Sequence, residues 1–239
     1  MPIVRNSFIQ MSKLTNLKGR INYISSHARQ ENLYAVYETT DRIFWTELAK
    51  CNQEEFMRSG TEGKCIEARE LIIALPESFV DYEPDKLLKL FTEHFKQNYD
   101  VECIFALHHN KRKTNYHIHL IFSERKLLDE PVEKIATRNM FYDETGKHVR
   151  TKKEILDEAG QLRSGCKIIP RGEVYERNIF TIKDSRFKSD CFLDEVKWSY
   201  TDLINIYVRD DKEKLKVFDK NGVYLPMKKV GKTIQKQSR

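Results

Sequence analysis

Apolar positions along the chain divide it into recognisable elements. Leu71-Ile72-Ile73-Ala74-Leu75 is an unbroken apolar run closed by Pro76, the pattern of a strand buried on both faces. Val101 to Leu107 reads the same way. Tyr116 to Phe122 alternates polar and apolar residues, which predicts a strand paired with it across the basic connection from His109 to Asn115. Between these strands Leu87, Leu88, Phe91, Phe95 and Tyr99 recur at helical spacing, so residues 85–99 are expected to form an amphipathic helix. Residues 7–11 read as a short strand, and residues 17–24 as a helix opened by Thr15-Asn16. Residues 33–45, rich in aromatic and β-branched side chains, are expected to be partly extended. Residues 46–58 suit a surface helix ended near Gly60, and residues 189–206 a helix carrying Phe192, Val196, Trp198, Leu203 and Ile204. The sum is an α+β fold, with helices packed on a central, mainly antiparallel sheet.

Beyond Arg125 the sequence turns polar, with tight turns expected at Asp143–Gly146, Asp157–Gly160 and Asp219–Gly222. The predicted organisation is one domain over residues 1–211, in which 126–211 are peripheral additions, followed by a basic extension, 212–239. That extension holds nine basic and two acidic residues, net +7, which leaves the other 211 residues at −1 of the total +6. Basic tails bind polyanions through counterion release, or simply keep a chain soluble; charge alone does not separate the two.

A 40% apolar content excludes global disorder. No apolar run approaches the ~18–20 residues of a membrane span, so membrane insertion is not expected. The first residues lack a signal-peptide pattern, and the five cysteines are odd in number with no C-x-x-C pair. A reduced, cytoplasmic protein is the expectation, with neither a disulfide framework nor a cysteine zinc site.

Four of the seven histidines, His108, His109, His117 and His119, lie within twelve residues. Side chains alternate along a strand, so His117 and His119 share one face while Ile118 and Leu120 fill the other. His108, at the end of the neighbouring strand, can join them on one cation; neutral imidazole suits Mn, Fe, Co, Ni, Cu or Zn. A chain seeking only stability would place Thr or Val at such positions. His109 points away from His108 if both are in the strand and is the weaker candidate.

The stretch from Ala106 to Arg125 resembles the third motif of MobA/MobL-type plasmid mobilisation relaxases, members of the HUH endonucleases. In that motif an Ala-x-His segment precedes an Asn-x-His-x-His strand and Ser/Thr-x-Arg. Ala68-Arg69-Glu70 with Ile73-Ala74-Leu75-Pro76 is similar to the family's Arg-Glu…Ala-Leu-Pro strand, and Asn22-Tyr23-Ile24 to its first motif. The segment Asn221–Pro226 with Lys229–Lys232 is similar to sequence found late in these domains.

The resemblance implies an HUH-type relaxase core that nicks and rejoins DNA at a plasmid transfer origin. His108, His117 and His119 would hold one divalent cation, with Mg²⁺ or Mn²⁺ preferred. Tyr23 would be the nucleophile and form a 5′-phosphotyrosyl link. A phenol, with a pKa of ~10, gains from a cation that polarises the phosphate. Relatives often carry an acid two residues after the first metal histidine, where this chain has Asn110. They also often have Glu just before Ala-Leu-Pro, where it has Ile72. Glu70, Glu67, Asn110 and His109 are therefore the candidates for orienting an imidazole or moving a proton. Tyr34, Tyr37 and His27 compete with Tyr23. Lys111, Arg112, Lys113, Arg125, Lys228, Lys229 and Lys232 are candidate DNA contacts. The implied partners are single-stranded DNA, accessory proteins at the origin, and a type IV secretion coupling protein. Two other classes remain: a rolling-circle replication initiator or transposase, for which Tyr142 and Tyr175 are the late tyrosines, and a non-catalytic, metal-clipped DNA-binding module.

Overall fold

The computed structural model describes residues 4–219. Chain order is β1 (Arg5–Asn6), β2 (Ile9–Leu14), α1 (Leu17–Ile24), β3 (Leu33–Glu38), α2 (Arg42–Ser59), β4 (Ala68–Leu75), α3 (Pro84–Tyr99), β5 (Cys103–His109) and β6 (Tyr116–Phe122). There follow β7 (Leu127–Ile135), β8 (Met140–Tyr142), β9 (His148–Val149), β10 (Lys167–Ile169), β11 (Val174–Phe180), α4 (Asp190–Tyr207) and β12 (Leu215–Lys216). The central sheet has the order β2-β4-β6-β5-β3, and each neighbouring pair is antiparallel. The fold is α+β, as the apolar pattern predicts.

Both faces of this sheet are covered. On one, Leu71, Ile73, Phe105, Leu107, Ile118, Leu120 and Phe122 pack with Leu88, Phe91 and Phe95 of α3 and Phe192, Val196 and Tyr200 of α4. On the other, Ala68, Ile104, Ala106 and Ile121 meet Leu17, Ile21 and Ile24 of α1 and Phe44, Trp45 and Leu48 of α2. Strands buried on both faces explain why β5 and β6 contain no exposed residue. Among the described residues no helix is long and apolar enough to cross a membrane.

Several elements differ from expectation. Helix α2 begins at Arg42 because Asp41 caps it, its carboxylate accepting the Phe44 amide at 2.9 Å; only residues 33–38 of the segment expected to be extended are a strand. Helix α4, grouped by sequence with the peripheral additions, supplies core residues, whereas its Trp198 is 59% exposed. The additions proper are the β7–β11 ribbon and the β10-β8-β9 sheet. The turns at Asp143 and Asp157 form, with Gly146 and Gly160 at positive φ. The basic extension meets the body where β12 pairs parallel with β1. The turn expected at Asp219–Gly222, the late motif at 221–232, and Lys228, Lys229 and Lys232 lie outside the described residues.

Candidate metal centre

Strand register builds the site. His108 on β5 lies directly opposite His117 on β6, and His119 lies opposite Ala106. On the other side of β6, Ala74 faces His117 and Ile72 faces His119. Ala74 and Ala106, the neighbours of His117 and His119, are small and leave room for the imidazoles. The rings of His108 and His119 stack with centroids 4.5 Å apart; His117 stands edge-on at 4.4 Å from His108 and 5.0 Å from His119. One ring nitrogen of each lies within 4.8 Å of the others, and all three residues are buried.

Hydrogen bonds fix which nitrogens remain free. His119 Nδ1–H donates to the Glu70 carboxylate at 2.7 Å, and His117 Nδ1–H to the Asn115 carbonyl at 3.0 Å. Both acceptors lack protons, so the proton sits on Nδ1 of each ring, the 2.7 Å contact of His119 with Glu70 outweighing the 3.2 Å approach of Arg20 Nη2 to the same nitrogen, and each ring presents a bare Nε2. His108 Nε2 is buried and has no partner. An orphaned ring nitrogen beside two others with free lone pairs is a poor arrangement for three neutral imidazoles alone and a good one for a cation. Burial, then the neighbouring His119 and His117, push His108 down to about 3, and burial lowers His117. The two lowered rings, His108 and His117, stay neutral at neutral pH, the form in which imidazole can take up a metal.

Glu70, on the same face of β4, also accepts from Arg20 of α1, whose Nε lies 2.9 and 3.0 Å from its two oxygens. Burial raises the Glu70 carboxyl, but hydrogen bonds from His119 and Arg20 outweigh it and hold it below the usual carboxylate range. Arg20 in turn sits over the Tyr23 ring, 5.3 Å from its centroid, and Tyr23 is 44% exposed rather than a core aromatic. Sequence reasoning singled out Glu70 and Tyr23 separately and missed Arg20, which joins them. The available signal was its position one turn before Tyr23, on the same side of α1.

The other candidates lie elsewhere. Glu67 accepts the Leu17 amide at 2.7 Å and Gln53 Nε2 at 2.6 Å, securing the start of α1. Asn110 closes the β5–β6 connection by accepting from the Thr114 amide at 2.9 Å. His109 is on the α3 side, bonded to Tyr34 at 2.8 Å and Glu77 at 2.9 Å. Tyr37 pairs with Phe105, whose side chain lies on that same side. His27 is exposed in the turn after α1. Lys111, Arg112 and Lys113 are exposed at the tip of the β5–β6 hairpin, beside the histidines. Arg125 is 2% exposed and fully engaged with Asn52, the Thr181 carbonyl and Glu55, so it is not available to a phosphate. Tyr142 and Tyr175 line a large cleft beside α2, away from the three rings.

No curated protein matches the chain. A solved structure described as the molecular basis of vancomycin resistance transfer in Staphylococcus aureus aligns with 84% of this chain and 91% of its own, at 13% identity and a TM-score of 0.44, a likeness too weak to carry an argument. The profile of the MobA/MobL family matches residues 44–237, which include the histidine strand and its hairpin partner. The chain belongs to the MobA/MobL family of plasmid mobilisation relaxases.

Proposed function

We propose that the chain nicks and rejoins single-stranded DNA at a plasmid transfer origin, with Tyr23 as nucleophile. The observation that carries this reading is the chain of contacts from three clustered imidazoles, one with an orphaned ring nitrogen, through Glu70 and Arg20 to an exposed tyrosine. Tyr34 and Tyr37 stand on the other side of the sheet, which supports Tyr23 among the early candidates.

The Tyr23 oxygen attacks phosphorus as the bond from phosphorus to the 3′-oxygen breaks. The products are a 5′-phosphotyrosyl end and a free 3′-hydroxyl; the phenol gives up one proton and the leaving oxygen takes one. The covalent link keeps the bond energy for rejoining. His108, His117 and His119 would hold a divalent cation, Mg²⁺ or Mn²⁺, which polarises the phosphate and offsets its developing charge. Glu70 and the Asn115 carbonyl keep two rings in the tautomer that leaves Nε2 bare. Arg20 keeps α1 against the ligand face, and Lys111, Arg112 and Lys113 take backbone phosphates near it. Accessory origin-binding proteins and a secretion coupling protein are the expected partners, in the cytoplasm.

The test is a fluorescent origin oligonucleotide incubated with protein and Mg²⁺ or Mn²⁺, followed by denaturing electrophoresis. A shifted covalent adduct is expected. Equal adduct from Tyr23→Phe would reject the nucleophile. Cleavage surviving in the His117→Ala/His119→Ala double variant with metal present would reject the metal site.

A further inference from the structure

A cavity of about 510 Å³ opens between α1 and α2. At ~100° per residue, Lys18, Asn22 and Ser25 project from the flank of α1 opposite Arg20 and Tyr23, with the buried Leu17, Ile21 and Ile24 between the two flanks. Helix α1 is therefore a ridge with the three imidazoles on one side and this cavity on the other.

The lining has a consistent chemistry. It includes Lys18, Arg29 and Arg42 and no carboxylate. Arg42 is tied to Ser25 Oγ at 3.0 Å and to Glu38, while Lys18 and Arg29 have no side-chain partner among the described residues. Trp45, 3% exposed, also lines the cavity, and its indole N–H is buried without a partner. A buried donor left unmet is uncommon in a finished structure, and an indole can only donate. A ligand here must bring acceptors and negative charge, and the volume suits one small molecule of nucleotide size.

We propose that this cavity receives one nucleotide of the DNA strand, its base against Trp45 and its phosphate between Lys18 and Arg29, flanking the nucleotide whose phosphate meets Tyr23. The proposal rests on the DNA-nicking reading. A strand held at the histidines need only cross α1, a ridge of about 10–12 Å, to reach the second set of cations. The site adds affinity mainly through phosphate contact, which is tolerant of sequence, with the base at the edge of the buried Trp45 ring.

The chain has two tryptophans, and Trp198 is exposed on α4 against the other sheet face, so Trp198→Phe leaves Trp45 as sole reporter. In that background, Trp45 emission should change saturably with an unlabelled origin oligonucleotide, in step with the anisotropy of a labelled one. Lys18→Ala/Arg29→Ala, at two surface positions, should weaken binding about tenfold at low salt and reduce the slope of log K against log salt by about 1.4, the value for two lost phosphate contacts on a single strand. Saturating anisotropy with Trp45 emission unmoved would overturn the proposal, as would a double variant with unchanged affinity and slope. A response to free deoxynucleoside monophosphate but not to the oligonucleotide would overturn it in favour of a small-molecule site. If the Tyr23 adduct forms while Trp45 stays silent, only this proposal falls; if neither DNA binding nor adduct is seen, the DNA-nicking reading falls with it.

Discussion

Replacing Glu70 by Gln tests the link between the sheet and the imidazoles. The Glu70 side chain is 4% exposed, lies 2.7 Å from His119 Nδ1 and forms an ion pair with Arg20 at 2.8 Å. Glutamine keeps the volume but loses the charge, and its single amide oxygen cannot serve both donors as a carboxylate does. Loss of a carboxylate that orients a ligating histidine lowers metal affinity by about 10–100-fold, or ~1.4–2.7 kcal/mol. Arg20 is 27% exposed and can turn to water, so the folding cost stays near 2 kcal/mol, about 4–8 °C in Tm for a chain of this size. Calorimetric titration with Mn²⁺ reads the affinity, and a thermal melt reads the fold. A cooperatively folded Glu70→Gln variant with Mn²⁺ affinity within about threefold of the parent would refute the positioning role.

Arg125→Ala should leave Asn52 and the Thr181 carbonyl unpaired beside a buried void, while the half-exposed Glu55 turns to water, costing about 3–5 kcal/mol, and lower Tm by at least ~6 °C without a specific change in the salt slope of DNA binding. Tyr34→Phe should leave adduct formation intact and cost about 1 kcal/mol through the lost His109 bond, as a melt would show. Acid should destabilise the metal-free protein well before its carboxylates titrate. The unfolded chain protonates His108 near 6.5 and the folded chain only at about 3, so unfolding takes up a proton between those values. Stability contributed by the neutral ring is complete above 6.5 and falls by about 1.4 kcal/mol per pH unit below it. The pH dependence read from denaturant titrations across that range should become shallower, without vanishing, when His108 is replaced by Gln, because His117 is lowered as well. Glu70, held below its ordinary value, adds a further loss only below about 4.5.

Much of the central sheet was legible because its information is local. The Tyr116–Phe122 strand and the Leu17–Ile24 helix fall at the expected bounds, and α3 begins one residue earlier, at Pro84. The shared face of His117 and His119 follows from alternation alone. What joins them to Glu70 does not: that contact depends on β4 pairing with β6, residues 49 positions apart in sequence. Arg125 reads as a surface cation because nothing near it in sequence reveals the Asn52 and Glu55 side chains that α2 brings beneath it. The early start of α2 was written in Asp41 but hidden by the aromatic run before it.

The β5–β6 hairpin sets a tolerance that is unequal between chemistry and length. Its tip can exchange Lys111, Arg112 or Lys113 for other residues without disturbing the ladder below. Adding one residue that slipped β6 by a single position would turn His117 and His119 toward α3 and bring Ile118 and Leu120 round to Glu70. A slip of two would restore the facing but separate His108 from His117. Homologues of this chain should therefore vary more in which cations that tip carries than in its number of residues.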